Sequence, residues 1–262
     1  MNDAVIIETK RDTHYVQKYS VRTYECGSDG FLLLPQLCNY LQETASVHAD
    51  ILGLSKEFLS KYNLIWVLAR MRLRVDRYPR WRDEVKVLTF PHRMAKLTAQ
   101  RDFVITLEDD SAVGIASSEW MCLDLATRRA ARLPDMMGNC ANNVRTPVWS
   151  GNAFTKPVYP DSPVNETEKS FEVYQSHIDL NGHVNNVRYI EWMLECSNET
   201  KKHSKVNEFE IVYRAEAFLG EAVTAYCTPL PDGTVAHRVS AQSRDLIIAR
   251  TKWHNTKIGE NL

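Results

Sequence analysis

The sequence has little of what marks flexible, exported or membrane-spanning chains. It contains only 10 glycines and 10 prolines in 262 residues, which argues against long flexible segments. No apolar run approaches the roughly 20 residues that a membrane span needs. Residues 1–12 carry Asp3, Glu8 and Asp12 and no apolar core, so they resemble neither a signal peptide nor an acid-poor plastid leader. We expect a cytoplasmic protein that does not act at a membrane.

An excess of charge of one sign is also missing. Lys and Arg number 32 and Asp and Glu number 33, so the net charge is −1 and nothing indicates binding to nucleic acid. The 6 cysteines form no C-x-x-C pair, which indicates reduced thiols. His177 and His183 have neither such a pair nor H-E-x-x-H spacing around them, so we expect no metal site.

What is present is the composition of a globular protein, with 44% hydrophobic and 25% charged residues. A chain of this length forms one large or two smaller domains. Residues 139–167 hold four prolines and few periodic apolar positions, which predicts a surface linker between an N-terminal domain, 1–138, and a C-terminal domain, 168–262.

Both halves show the same order of elements, a strand, a turn, an amphipathic helix and then antiparallel strands. Periodicity predicts helices at 35–53, 55–62 and about 184–198, and strands at 19–25, 66–75, 85–90, 97–107, 113–123, 171–175, 206–213, 221–228, 236–243 and 246–254. Tyr40 matches Trp192 at a distance of 152 positions (192 − 40), and Glu84 matches Glu221 at 137 (221 − 84). Periodicity and register therefore predict a duplicated α+β unit.

Residues 175–195, Q-S-H-I-D-L-N-G-H-V-N-N-V-R-Y-I-E-W-M-L-E, pass from a strand end through a polar turn into a helix. Asp179, Asn181 and His183 alternate through the turn, so all three can face one pocket. The free backbone N–H groups of a helix N-terminus suit a developing negative charge. An EF-hand loop is excluded, because its sixth and twelfth positions would be Val184 and Ile190.

The pattern D-x-N-x-H-V-N-N-x-x-Y-I-x-W in this stretch resembles the active-site segment of the acyl-acyl carrier protein (acyl-ACP) thioesterases. The resemblance implies a double hotdog fold, that is, two tandem hotdog domains that each wrap a curved antiparallel sheet around a long helix. It also implies hydrolysis of a fatty acyl thioester carried by acyl carrier protein, without a cofactor. That carrier is the expected partner, and a homodimer of the chain stays open.

The family's Y-R-x-E-C segment is matched by residues 213–217, Tyr-Arg-Ala-Glu-Ala. This implies Glu216 as the general base for the attacking water. Ala217 stands where the family often has cysteine, so we expect no acyl-enzyme intermediate.

The resemblance also suggests roles for the other residues of the turn. Asn181 would hold the water or the carbonyl, His183 would support charge on the reacting group, and Asp179 would orient one of them. Backbone N–H groups from Gly182 to Val184 would form the oxyanion hole. The first half is apolar at the equivalent turn and would shape an acyl-chain pocket, with Trp66, Val67 and Leu68 as candidate lining residues.

Other interpretations are a hotdog dehydratase, whose H-F-P-G-type helix entry is missing, an acyl-CoA thioesterase, and a non-catalytic acyl-binding protein. A regulator would need a DNA-binding module, for which the chain leaves no room. Arg70, Arg72 and Arg74 alternate along one strand. They are interpreted either as a solvated sheet face or as a docking surface for the acidic carrier.

Overall fold

The computed structural model describes residues 14–132, 146–197 and 204–255. Its helices are α1 (Leu34–Ile51), α2 (Lys56–Ser60) and α3 (Asn186–Ser197). Its strands are β1 (Tyr15–Ser20), β2 (Leu64–Val75), β3 (Glu84–Met94), β4 (Thr98–Leu107), β5 (Ala112–Asp124), β6 (Thr167–Glu172), β7 (Ser204–Tyr213), β8 (Ala222–Pro229), β9 (Val235–Ala241) and β10 (Arg244–Asn255). Short 3-10 turns at Thr23–Glu25 and Gln175–His177 replace the predicted extensions of β1 and β6.

All the strands belong to one antiparallel sheet of 10 strands, in the order β1-β3-β4-β5-β2-β7-β10-β9-β8-β6. The first five come from the first half of the chain and the last five from the second. The halves join where β2 pairs with β7, with Arg72 opposite Glu210. Each half therefore repeats the other across this central pair of strands.

Both long helices pack on the inner face of the sheet. In α1 the buried positions Leu37, Leu41 and Ala45 recur at helical spacing, and Pro35 lies in the first turn, where it costs no hydrogen bond. In α3, Val187 and Ile190 are buried in the same way. The two helices contact each other. One hydrophobic core, shared by both halves, is the result.

The duplication is visible in the turns before α1 and α3. Gly30 and Gly182, which are 152 positions apart, take the left-handed φ values of 75° and 77° that glycine adopts without steric cost. The predicted match of Glu84 with Glu221 is wrong by one residue. Val21 N–H donates to Asp83 O and Val173 N–H to Glu221 O, so Asp83 is the equivalent of Glu221, 138 positions on (221 − 83). Both carboxylates accept a hydrogen bond from a nearby backbone N–H, which explains why an acidic residue recurs there.

Residues 146–166 cross the outer face of the sheet and cover the arginine row. Arg72 donates to Ala153 O at 3.0 Å, and its guanidinium lies 3.9 Å from the centre of the Trp149 ring. Phe154 is buried beside Arg70. Arg72 is therefore neither solvated nor free to dock a partner, so both interpretations of the arginine row are wrong for this residue. Residues 139–145 of the predicted linker lie outside the described part of the chain.

Candidate active site

The turn before α3 is organised by the Asp179 carboxylate. Its Oδ1 accepts hydrogen bonds from the N–H of Asn181 at 2.7 Å and of His183 at 3.3 Å. The backbone closes the same turn, since Asp179 N–H donates to His183 O at 2.8 Å. An aspartate that accepts from the backbone two residues on is the usual Asx turn. Asp179 therefore orients His183 through the main chain.

Helix α3 begins directly after this turn. Asn185 caps it, because its side-chain oxygen accepts the Val187 N–H at 2.9 Å. The first residue of α3, Asn186, is bonded to β7: its backbone carbonyl oxygen accepts a hydrogen bond from the Tyr213 hydroxyl at 3.2 Å. The turn is thus fixed both to the helix and to the end of β7.

Glu216 follows the end of β7 and meets His183. His183 Nδ1 lies 2.9 Å from Glu216 Oε1, and the two side chains are 29% and 31% exposed. The residues that the sequence assigns as proton carriers are therefore in contact and reachable by water. If Nδ1 carries the proton in this contact, Nε2 is left to face a substrate.

The predicted oxyanion donors are not equally available. Gly182 N–H already donates to Asp179 O at 3.0 Å, so its use on a substrate would cost that bond. Ile178 and Val184 lie opposite each other in an isolated antiparallel β-bridge. Its two hydrogen bonds are made by the flanking residues, from Asp179 N–H to His183 O and from Asn185 N–H to His177 O. Neither bond uses the Val184 N–H, which leaves Val184 as the better candidate.

A narrow apolar cleft of about 20 Å³ lies between α1 and α3 near this pair. Its lining combines both halves of the chain: Cys38, Leu41, Gln42, Ala45, Leu68, Met71, Phe103, Ser118, Trp120, Asn186, Val187, Ile190 and Tyr213. Leu68 lies where the sequence predicts a pocket residue. Trp66 packs instead against a separate cluster that includes Leu59 and Leu64. The pocket role of Trp66 and Val67 stays a prediction.

The equivalent turn of the first half carries no acid–base pair. Phe31 occupies the position of His183, and Tyr78 occupies that of Glu216. The Lys205 ammonium lies 4.6 Å and 4.8 Å from the centres of their rings and 2.7 Å from the Asp29 carboxylate. Aromatic side chains and a paired lysine fill this end of the fold, so the titratable constellation belongs to the second half.

The described residues contain no group of three or more His, Cys, Asp and Glu side chains placed to hold a metal ion. Within the same ranges, no helix is long and apolar enough to cross a membrane.

Two family models match most of the chain. The acyl-ACP thioesterase N-terminal domain matches residues 12–139, and the acyl-ACP thioesterase C-terminal domain matches residues 161–261. The chain belongs to the acyl-ACP thioesterase family. One curated relative is the chloroplastic palmitoyl-acyl carrier protein thioesterase of Gossypium hirsutum. It is 34% identical to this family member, over 91% of this chain and 63% of the relative's length. The chloroplastic palmitoyl-acyl carrier protein thioesterase of Cuphea hookeriana is 32% identical, over 76% of this chain and 51% of the relative's length. The chain thus spans about half to two thirds of the length of these relatives.

Solved structures of the family share the fold. The 12:0-ACP thioesterase from Umbellularia californica superimposes with a TM-score of 0.84 at 23% identity, over 93% of this chain and 98% of that one. An acyl-ACP thioesterase from Bacteroides thetaiotaomicron gives 0.82 at 24%, over 94% and 100%. The expected double hotdog of the α+β class is confirmed.

In this family member, the site contains a contact that sequence reasoning missed. Arg128, in the turn after β5 of the first half, places Nη2 2.7 Å from Glu216 Oε2. Nothing in the local sequence around Arg128 distinguishes it from the neighbouring Arg129. Only the chain topology brings that turn to the second half's glutamate.

Ala217, which departs from the family's Y-R-x-E-C segment, is buried. It is 2% exposed and its N–H donates to the Tyr189 hydroxyl at 2.8 Å. Burial of Tyr189 raises the pKa of its hydroxyl to about 12, so this group stays neutral at physiological pH. The side chain at position 217 therefore packs in the core.

Proposed function

We propose that this protein hydrolyses the thioester of a fatty acyl-ACP and releases a free fatty acid and the carrier thiol. The observation that carries the proposal is the contact of His183 with Glu216 beside an apolar cleft. Asn186 and Tyr213 line that cleft, three residues after His183 and three before Glu216. The cleft holds only about 20 Å³, so α1 and α3 must move apart before a chain bound there presents its carbonyl carbon to the acid–base pair.

The reaction then needs one activated water. Glu216 takes a proton from water as the oxygen bonds to the carbonyl carbon. The carbonyl oxygen becomes negative and is held by the Val184 N–H at the start of α3 and by the Asn181 amide. The C–S bond breaks as the electron pair on this oxygen re-forms the C=O double bond, and the departing thiolate receives, through His183, the proton that Glu216 took from water. Glu216 ends ionised, so atoms and charge balance without a covalent intermediate.

The turn residues Asp179 and Asn181 have different roles. Asp179 fixes the backbone of Asn181 and His183, as its two hydrogen bonds require. Asn181 is exposed, which suits a group that meets the water or the carbonyl only when substrate is bound. We assign the acyl pocket chiefly to 1–138 and the chemistry to 168–262, with 139–167 as the connection.

The carrier protein is the partner that the family resemblance favours, in preference to coenzyme A. The relatives are named for palmitoyl and oleoyl chains and a solved structure for a 12:0 chain, so chain length differs within the family. We propose a cytoplasmic site of action, although the curated plant relatives are chloroplastic. Fractionation of the source cells tests that location, and sedimentation tests the homodimer.

A panel of acyl-ACP and acyl-CoA thioesters of graded chain length tests the activity by release of free thiol. We expect turnover on acyl-ACP with a higher kcat/KM than on the CoA ester of the same chain. Equal or better turnover on acyl-CoA would contradict the carrier assignment. Binding of acyl-ACP without turnover would contradict the reaction and indicate an acyl-binding protein.

A further inference from the structure

Glu216 is held from both sides by residues of different halves of the chain. One carboxylate oxygen lies 2.9 Å from His183 Nδ1, and the other lies 2.7 Å from Arg128 Nη2. A carboxylate that has both oxygens engaged has a fixed plane and a fixed distance to its partner. The first half thus reaches into the acid–base pair of the second.

The turn that carries Arg128 is held in place by several hydrogen bonds. The Asp124 carboxylate accepts from the Thr127 N–H at 2.7 Å and its hydroxyl at 2.9 Å, and Asp124 O accepts the Arg128 N–H at 2.8 Å. Arg128 itself adopts φ 56°, in the left-handed region that glycine enters more easily. A strained backbone conformation at an arginine that touches a catalytic carboxylate points to function more than to folding.

The ion pair is too exposed to matter much for stability. The Arg128 and Glu216 side chains are 46% and 31% exposed, and ion pairs between such groups contribute little to folding. For the reaction the same contact matters more, because it fixes the position of the carboxylate that meets His183.

We propose that Arg128 is a positioning residue for the thioesterase reaction, which holds the Glu216 carboxylate aligned against His183. This inference rests on the proposed function, in which Glu216 is the base. The active pair of the second half is then complete only when the β5 turn of the first half is docked against it.

Other charged and titratable groups near Glu216 come from two further elements. Arg244, at the start of β10, donates to Glu216 O at 3.1 Å and pairs with Glu221. The Tyr189 hydroxyl of α3 bonds the next residue, Ala217. Arg244 touches the main chain of Glu216, whereas Arg128 touches its carboxylate, so removal of Arg128 is the change that alters the base directly.

The test measures kcat, KM and Tm for wild type, Arg128→Gly, Arg128→Lys, Arg129→Ala and Glu216→Gln. Glycine relieves the backbone at φ 56°, so we expect Arg128→Gly to keep or raise Tm. We expect kcat to fall on the order of 10- to 100-fold, because a misplaced catalytic group loses about that much. Arg128→Lys should recover part of the lost kcat, added guanidinium should partly restore Arg128→Gly, and Arg129→Ala should match wild type.

Three results would overturn the inference. Wild-type kcat in Arg128→Gly, with Glu216→Gln inactive, would exclude Arg128 as a positioning residue and leave the proposed base intact. A raised KM at unchanged kcat would mean that Arg128 binds substrate and does not position the base. If Glu216→Gln also turned over like wild type, the assignment of the base itself would fail, and this inference with it.

Discussion

The Tyr189 hydroxyl of α3 accepts the Ala217 N–H at 2.8 Å, next to Glu216. The same helix therefore begins at the turn that holds His183 and, one turn later, fixes the chain on which Glu216 lies. Helix α3 is thus bonded to the residue next to Glu216 and follows the turn of His183, so it helps to fix the distance between these two side chains. This link connects the packing of the core to the chemistry.

Tyr189→Phe is expected to lower both stability and activity. It leaves the buried N–H of Ala217 without an acceptor, which costs about 1–3 kcal/mol, and it frees the Glu216 segment. Thermal unfolding and kcat measure the two effects. Tyr40→Phe is the control, since Tyr40 is also buried and donates to Glu25 at 2.6 Å, in the first half. It should lose stability and keep kcat; an equal loss of kcat in the two variants would refute the link.

Asp179→Ala is expected to disorder the turn and reduce kcat more than it reduces stability. The carboxylate holds the N–H groups of Asn181 and His183. Asp179→Asn keeps one acceptor oxygen and should retain more activity. Asp29→Ala, in the corresponding turn of the first half, should leave kcat unchanged. Full activity of Asp179→Ala would show that the turn needs no such support.

Ala45→Phe is expected to shift the preference of the enzyme toward shorter acyl chains. Ala45 is buried on α1 and lines the cleft, so a larger side chain shortens the space for the substrate. Competition between thioesters of graded length measures the shift. Ser46→Phe places the same ring on an exposed neighbour and should change nothing. An unaltered chain profile in Ala45→Phe would place the acyl chain elsewhere.

Acid should destabilise the fold through His237. Burial lowers the pKa of its imidazole from the ordinary 6.5 to about 3, and its Nε2 lies 2.8 Å from the Thr251 hydroxyl. The folded state holds this histidine neutral, while the unfolded chain binds a proton below about pH 6.5. Its contribution to stability is therefore full above that pH and is lost as the pH falls toward 3.

Thermal unfolding of wild type and His237→Gln across that range measures this contribution. We expect a flatter decline of Tm with acid in the variant, whose amide does not titrate. Parallel curves would assign the acid sensitivity to other groups.

The parts of the site that the sequence predicts are those that are local in the chain. The turn from Asp179 to His183 and its helix carry their own capping and turn chemistry, so a short pattern predicts them. Glu216 is found only through its flanking residues. Arg128 and the covering of Arg72 by residues 146–166 depend on which strands pair, and no local pattern contains that information. The match of Glu84 with Glu221 fails for a similar reason, since a one-residue register change is invisible until Asp83 and Glu221 are seen to accept equivalent hydrogen bonds.

The most direct test of the account is a single-turnover hydrolysis of acyl-ACP by wild type and Glu216→Gln. Mass spectrometry of the protein then shows whether an acyl group has become attached to it. We expect the variant to bind acyl-ACP and to release thiol on the order of 100-fold or more slowly, as loss of a general base predicts, with no acylated protein in either case. Glu168→Gln, an exposed glutamate on β6, serves as the control and should match wild type. Unchanged thiol release by Glu216→Gln, or an acyl group attached to the protein, would contradict the proposal that Glu216 activates water without a covalent intermediate.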